Sequence, residues 1–112
     1  MNRRYRVFLL ATLVSALAVA KTAAPAPAKP EPATHTIRIS GFKFVPDRLE
    51  VNAGDTVIWR NEDVVAHIVS SDQLKGKNIE SGGSWSYKAK ERGTFSYICR
   101  YHPTMTGELS VK

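Results

Sequence analysis

Between Thr36 and Val111 stretch after stretch alternates polar and apolar residues with a period of two, which is the pattern of strands. Thr36-Ile37-Arg38-Ile39-Ser40 alternates, and so does Arg48-Leu49-Glu50-Val51-Asn52. Ala53-Gly54-Asp55 marks a tight turn, after which Thr56-Val57-Ile58-Trp59-Arg60 resumes the pattern. Residues 66–70, 84–88, 93–98 and 108–111 read as further strands, and the polar stretch 71–81 reads as an irregular loop. No segment after residue 35 carries a helical period. Many short strands separated by turn signals predict an all-β, antiparallel-rich sandwich or barrel. Its apolar face is expected to include Phe42, Phe44, Trp59, Trp85, Phe95 and Tyr97.

The first 34 residues follow other rules. Asn2-Arg3-Arg4-Tyr5-Arg6 is a short basic region, and an apolar run from Val7 to Ala20 ends in small residues. That pattern predicts an export signal over residues 1–20, with Ala18-Val19-Ala20 at the cleavage point, or cleavage after Ala18. The run is short for a membrane span, so a membrane association is expected only if the segment is retained. Residues 21–34 are rich in Pro and Ala and predict an extended linker with no core of its own. The folding unit is therefore expected over residues 35–112.

Loss of residues 1–20 would reduce 16 basic residues to 13, against 10 acidic ones. Lys75, Lys77, Lys88, Lys90 and Arg92 are interleaved with Glu80 and Glu91, which argues against a nucleic-acid surface. The mild basic excess could instead steer an acidic partner. A single cysteine, Cys99, rules out an internal disulfide. In an exported protein an unpaired thiol needs shielding from oxidation, and metal ligation provides it.

That cysteine opens the segment Cys99-Arg100-Tyr101-His102-Pro103-Thr104-Met105, which sets a thiolate, an imidazole and a thioether at successive spacings of three. Two His and one Cys in a plane, with a long axial Met, is the donor set of blue-copper electron-transfer centres. A second imidazole must come from elsewhere. His67 is better placed than His35, which is expected to be solvated at the end of the linker. The expected metal ligands are thus His67, Cys99, His102 and Met105 around one type 1 copper ion. Zinc is the chemical rival, but it has little use for a thioether. A Cys–His nucleophile would need an orienting Asn or Asp and a pocket, and the sequence around Cys99 supplies neither. The chain reads as a one-electron carrier and not as an enzyme. The alternative is an envelope protein that stores or delivers copper through the same ligands.

Together these residues resemble the cupredoxin family, in its amicyanin-like branch. Residues 44–61 resemble the family's first-half signature, with His67 following at the place of the first histidine ligand. Gly93-Thr94-Phe95-Ser96-Tyr97-Ile98-Cys99 resembles the strand leading to the copper cysteine, and Cys-x-x-His-Pro-x-Met resembles the short ligand loop. The resemblance implies a Greek-key β-sandwich of seven to eight strands, with copper at one end and His102 as the exposed ligand. It implies a periplasmic, monomeric carrier between redox proteins, an electron-donor dehydrogenase and/or a cytochrome c. Ile68 stands where the branch often has Asn, which removes a side-chain brace from the ligand loop. Tyr101 and Thr104 replace Pro and Phe of its docking patch, which counts against methylamine dehydrogenase as the partner.

Overall fold

The computed structural model describes residues 11–18 and 31–112. The expected export segment and linker lie largely outside these; residues 11–18 are exposed and have no regular structure. Among the described residues no helix is long and apolar enough to cross a membrane.

Eight strands lie within the described residues: β1 (Thr34–Ser40), β2 (Lys43–Val45), β3 (Arg48–Val51), β4 (Thr56–Asn61), β5 (Val69–Ser70), β6 (Ser84–Lys88), β7 (Gly93–Cys99) and β8 (His102–Val111). They form two four-stranded sheets, in the orders β2-β1-β4-β6 and β3-β8-β7-β5. The period of two puts one face of each strand inward. β1 buries Ile37 and Ile39, and β4 buries Val57, Trp59 and Asn61. β7 buries Tyr97 and Cys99, and β8 buries Met105, Gly107, Leu109 and Val111. The all-β sandwich expected from the alternation is what the chain forms.

Two pairings are parallel, β1 with β4 and β3 with β8, alongside four antiparallel ones. Alternation alone carries no strand direction. The chain leaves the first sheet after β2, contributes β3 to the second, and returns as β4, so β1 and β4 run the same way. Parallel neighbours require such a crossover.

Three local readings are corrected. The strand expected over 66–70 is only Val69–Ser70; His67 is instead bridged to Ile79 in the following loop. The last strand begins at His102, not at Glu108, because the residues after the turn pair back onto β7. Phe42 leaves the core and is 48% exposed. It sits with Gly41 in the two-residue turn between Ser40 and Lys43, both at φ near +60°. That is the turn geometry that matches strand twist, and at a non-glycine residue it costs about 1–3 kcal/mol.

Candidate metal centre

The centre is built where the end of β4, the turn before β5 and the β7–β8 turn converge. Asn61, fully buried at the end of β4, fixes the first stretch. Its Nδ2 donates to the carbonyls of Val65 (2.7 Å) and Ile79 (2.9 Å), and its Oδ1 accepts the Asp63 N–H (2.9 Å). The His67 N–H then donates to Ile79 O, and the Ile79 N–H returns a bond to His67 O. Five backbone and side-chain ties thus place His67 before any ligand is considered.

On the other side, the backbone pairing of Cys99 with Val69 and the bond from Arg100 N–H to Ile68 O bring the end of β7 against the same turn. Cys99 Sγ lies 3.5 Å from His67 Nδ1, and the Ile68 N–H points at the sulfur from 3.5 Å. Cys99 and His67 are both completely buried. Two donors bonded to one ion at about 2.3 Å (sulfur) and 2.0 Å (nitrogen) stand this far apart at a near-tetrahedral angle. His102, half-buried at the start of β8, places its ring 5.4 Å from that of His67, centroid to centroid. Met105 is 4% exposed and belongs to the same buried cluster as Cys99. Its neighbour Thr106 pairs with Ile98, which sets Met105 against the strand that carries the sulfur. His35 lies toward the other end of the β1–β4 pairing from Asn61. It is not solvated as expected but bonded through Nε2 to Asp55 Oδ2 at 2.9 Å.

Asp63 was not singled out by the sequence, although it precedes His67 by four residues. Its Oδ2 stands 2.9 Å from His67 Nε2, and its carboxylate accepts the N–H groups of Gly41 (2.7 Å) and Phe42 (3.0 Å). Burial pushes the Asp63 carboxyl upward, but the bonds from Phe42, Gly41 and His67 together outweigh it and hold the carboxyl below its ordinary value. An ionised carboxylate only accepts, so Nε2 donates to it, and in the neutral imidazole Nδ1 then turns its lone pair toward the sulfur. This is the outer-shell arrangement that orients metal-binding histidines. Asp63 also holds the strained turn that brings the Phe42 ring edge-on to both imidazoles, 5.5 Å from His67 and 5.0 Å from His102.

Cys99, His67 and Asp63 stand in the order of a nucleophile, its base and an orienting acid. The expectation that no carboxylate serves such a pair is therefore corrected. Burial decides between the two uses: a fully buried sulfur offers no room for a substrate, whereas an ion needs almost none. Among the described residues no three His, Cys, Asp or Glu side chains make a tight cage by themselves. The candidate donors are the buried Cys99–His67 pair, with the His102 ring beside that of His67 and Met105 in the same buried cluster as Cys99. That combination fits a soft first-row ion and not an oxygen-rich cation site.

Known proteins give the same family. The family model described as a cupredoxin-like domain matches residues 9–111. Amicyanin of Paracoccus versutus is 28% identical over 83 residues, covering 68% of this chain and 63% of that protein. A plastocyanin of Synechococcus sp. is 33% identical over 91 residues, covering 78% of this chain and 64% of its own length. The chain thus spans a little under two thirds of these two relatives. Among solved structures, a mutant of amicyanin in its Cu(I) form superposes with a TM-score of 0.66 at 29% identity, covering 70% of this chain and 82% of that one.

Proposed function

The chain belongs to the cupredoxin-like family, and from that footing we propose that it is an exported one-electron carrier holding one type 1 copper ion through His67, Cys99, His102 and Met105. The observation that carries this reading is the buried pair of Cys99 Sγ and His67 Nδ1, 3.5 Å apart, with the imidazole proton pinned on the far nitrogen by Asp63. When bound, the copper supplies a one-electron couple whose coordination suits both valence states.

The protein's own residues do the rest. Asn61, Asp63 and the His67–Ile79 bridge hold His67 still, so little rearrangement accompanies a change of charge. The Ile68 N–H donates to the sulfur and moderates its charge. Fully buried Cys99 and His67 exclude water from the thiolate. His102 is the half-buried donor, flanked by two exposed apolar side chains: Phe42, whose ring lies 5.0 Å from its own, and its sequence neighbour Tyr101. Such a patch around a half-buried ligand suits brief contact with a redox partner. A dehydrogenase as donor and a cytochrome c as acceptor, in the periplasm, fit this role, with the carrier acting as a monomer.

Voltammetry of the protein loaded with one equivalent of copper tests the proposal. A reversible one-electron wave, with His102→Ala slowing exchange with added cytochrome c, is the expected result. Rapid loss of the copper to a mild chelator, without a reversible wave, would favour storage or delivery instead.

A further inference from the structure

Two buried polar atoms have no use in the centre described above. Trp59 Nε1 and Tyr97 Oη are sealed from solvent, and neither has a partner at full hydrogen-bond geometry. Each unsatisfied group costs about 1–3 kcal/mol. Phe in place of Tyr97 would fill nearly the same space without that cost, which turns attention to the chemistry of the two rings. What indole and phenol have that Phe lacks is easy one-electron oxidation.

The two rings are also links in a continuous chain. Tyr97, two residues before Cys99 on the same inward face of β7, meets Trp59 edge-on at 5.6 Å, centroid to centroid. Trp59 meets Trp85, its registered partner across β4 and β6, at 5.2 Å. Trp85 stacks on Tyr87 at 6.0 Å. Trp85 and Tyr87 are half-buried, and Tyr87 lines an open surface groove with Lys88 and Lys90. The chain crosses from one sheet to the other and ends on β6, the edge strand of the first sheet.

We propose that Tyr97, Trp59, Trp85 and Tyr87 form a one-electron relay joining the strand of Cys99 to a second port on β6, separate from His102. The proposal rests on the copper reading for its inner terminus. A one-electron oxidant, such as a metal complex in its higher valence, takes an electron at Tyr87 or Trp85. The vacancy is refilled through Trp59 and Tyr97 by the reduced ion at Cys99. No bond between heavy atoms forms or breaks, any proton released by the Tyr87 phenol returns to it, and each ring ends as it began.

The test places a ruthenium polypyridyl photo-oxidant on β6 through Lys88→His, using the singly labelled full-length protein. With copper bound and reduced, flash oxidation should re-oxidise the copper, and Trp85→Phe and Tyr87→Phe should each slow this about tenfold. Trp85→Tyr, which restores an oxidisable ring, should recover much of the rate. Rates in both Phe variants within a factor of about two of the parent would overturn the relay. The metal-free labelled protein separates the two readings. A transient tryptophan radical there, lost in Trp85→Phe, supports the relay even if copper fails to bind. Absence of that radical overturns the relay whatever the metal does.

Discussion

The Asp63 carboxylate serves two masters: 2.9 Å from His67 Nε2, it also accepts the backbone N–H groups of the Gly41-Phe42 turn. One side chain therefore sets the tautomer of a buried imidazole and the position of the ring packed against both histidines. Asp63→Ala should lower copper affinity about 10- to 100-fold, the usual cost of losing an outer-shell carboxylate. Competition with a chromophoric chelator measures this. Asp63→Asn, which still accepts through one oxygen, should recover part of the loss. Equal affinities for all three proteins would mean that the carboxylate orients nothing.

Gly107 faces Tyr97 across β7 and β8, and a methyl group there would overlap the Tyr97 ring and hydroxyl. The neighbour is a buried aromatic already in edge contact with Phe44 and Trp59. Gly107→Ala should destabilise the metal-free protein by about 1–3 kcal/mol, in the range of overpacked cores. Urea unfolding checks it, and Tyr97→Leu in the same chain should relieve the clash. An unchanged midpoint would place the phenol elsewhere.

Asp55 gathers the N–H groups of Ala33 and Asn52 and the His35 imidazole, and these hold its carboxyl down at about 2, from 3.8. The backbone bond from Ala33 is the largest cause, followed by His35. A carboxyl depressed by folding contributes stability above its unfolded value, and this stability is lost as pH falls toward the folded one. Stability should therefore decline between pH 3.8 and about 2. In Asp55→Asn that part of the decline should vanish, together with the pinning of the start of β1. Parallel acid titrations of the two proteins, followed by tryptophan fluorescence, give the comparison; coincident curves would refute it.

Much of this was readable in the residues, and the reasons are specific. Ile37, Ile39, Val57, Trp59 and Leu109 sit on strands whose alternation is unbroken, so their inward face follows from the pleat alone. Cys99, His102 and Met105 announce themselves by donor type and spacing. Phe42 was misread as core because a left-handed turn carries no hydrophobic signature; what holds it is a carboxylate 21 residues away. Asp63 was missed because an outer-shell acid looks like any surface acid until the imidazole beside it is placed. The parallel pairings escaped because alternation does not encode direction. His35 looked solvated for want of its partner, Asp55, brought to it by the β1–β4 pairing.

The central claim is that His67 and Cys99, 3.5 Å apart in the folded chain, share one copper ion. The visible absorption spectrum after addition of one equivalent of cupric salt tests it most directly. The account predicts an intense band in the red, from thiolate-to-copper charge transfer, abolished in Cys99→Ser and shifted or lost in His67→Ala. A colourless protein, or the same band in Cys99→Ser, would contradict it.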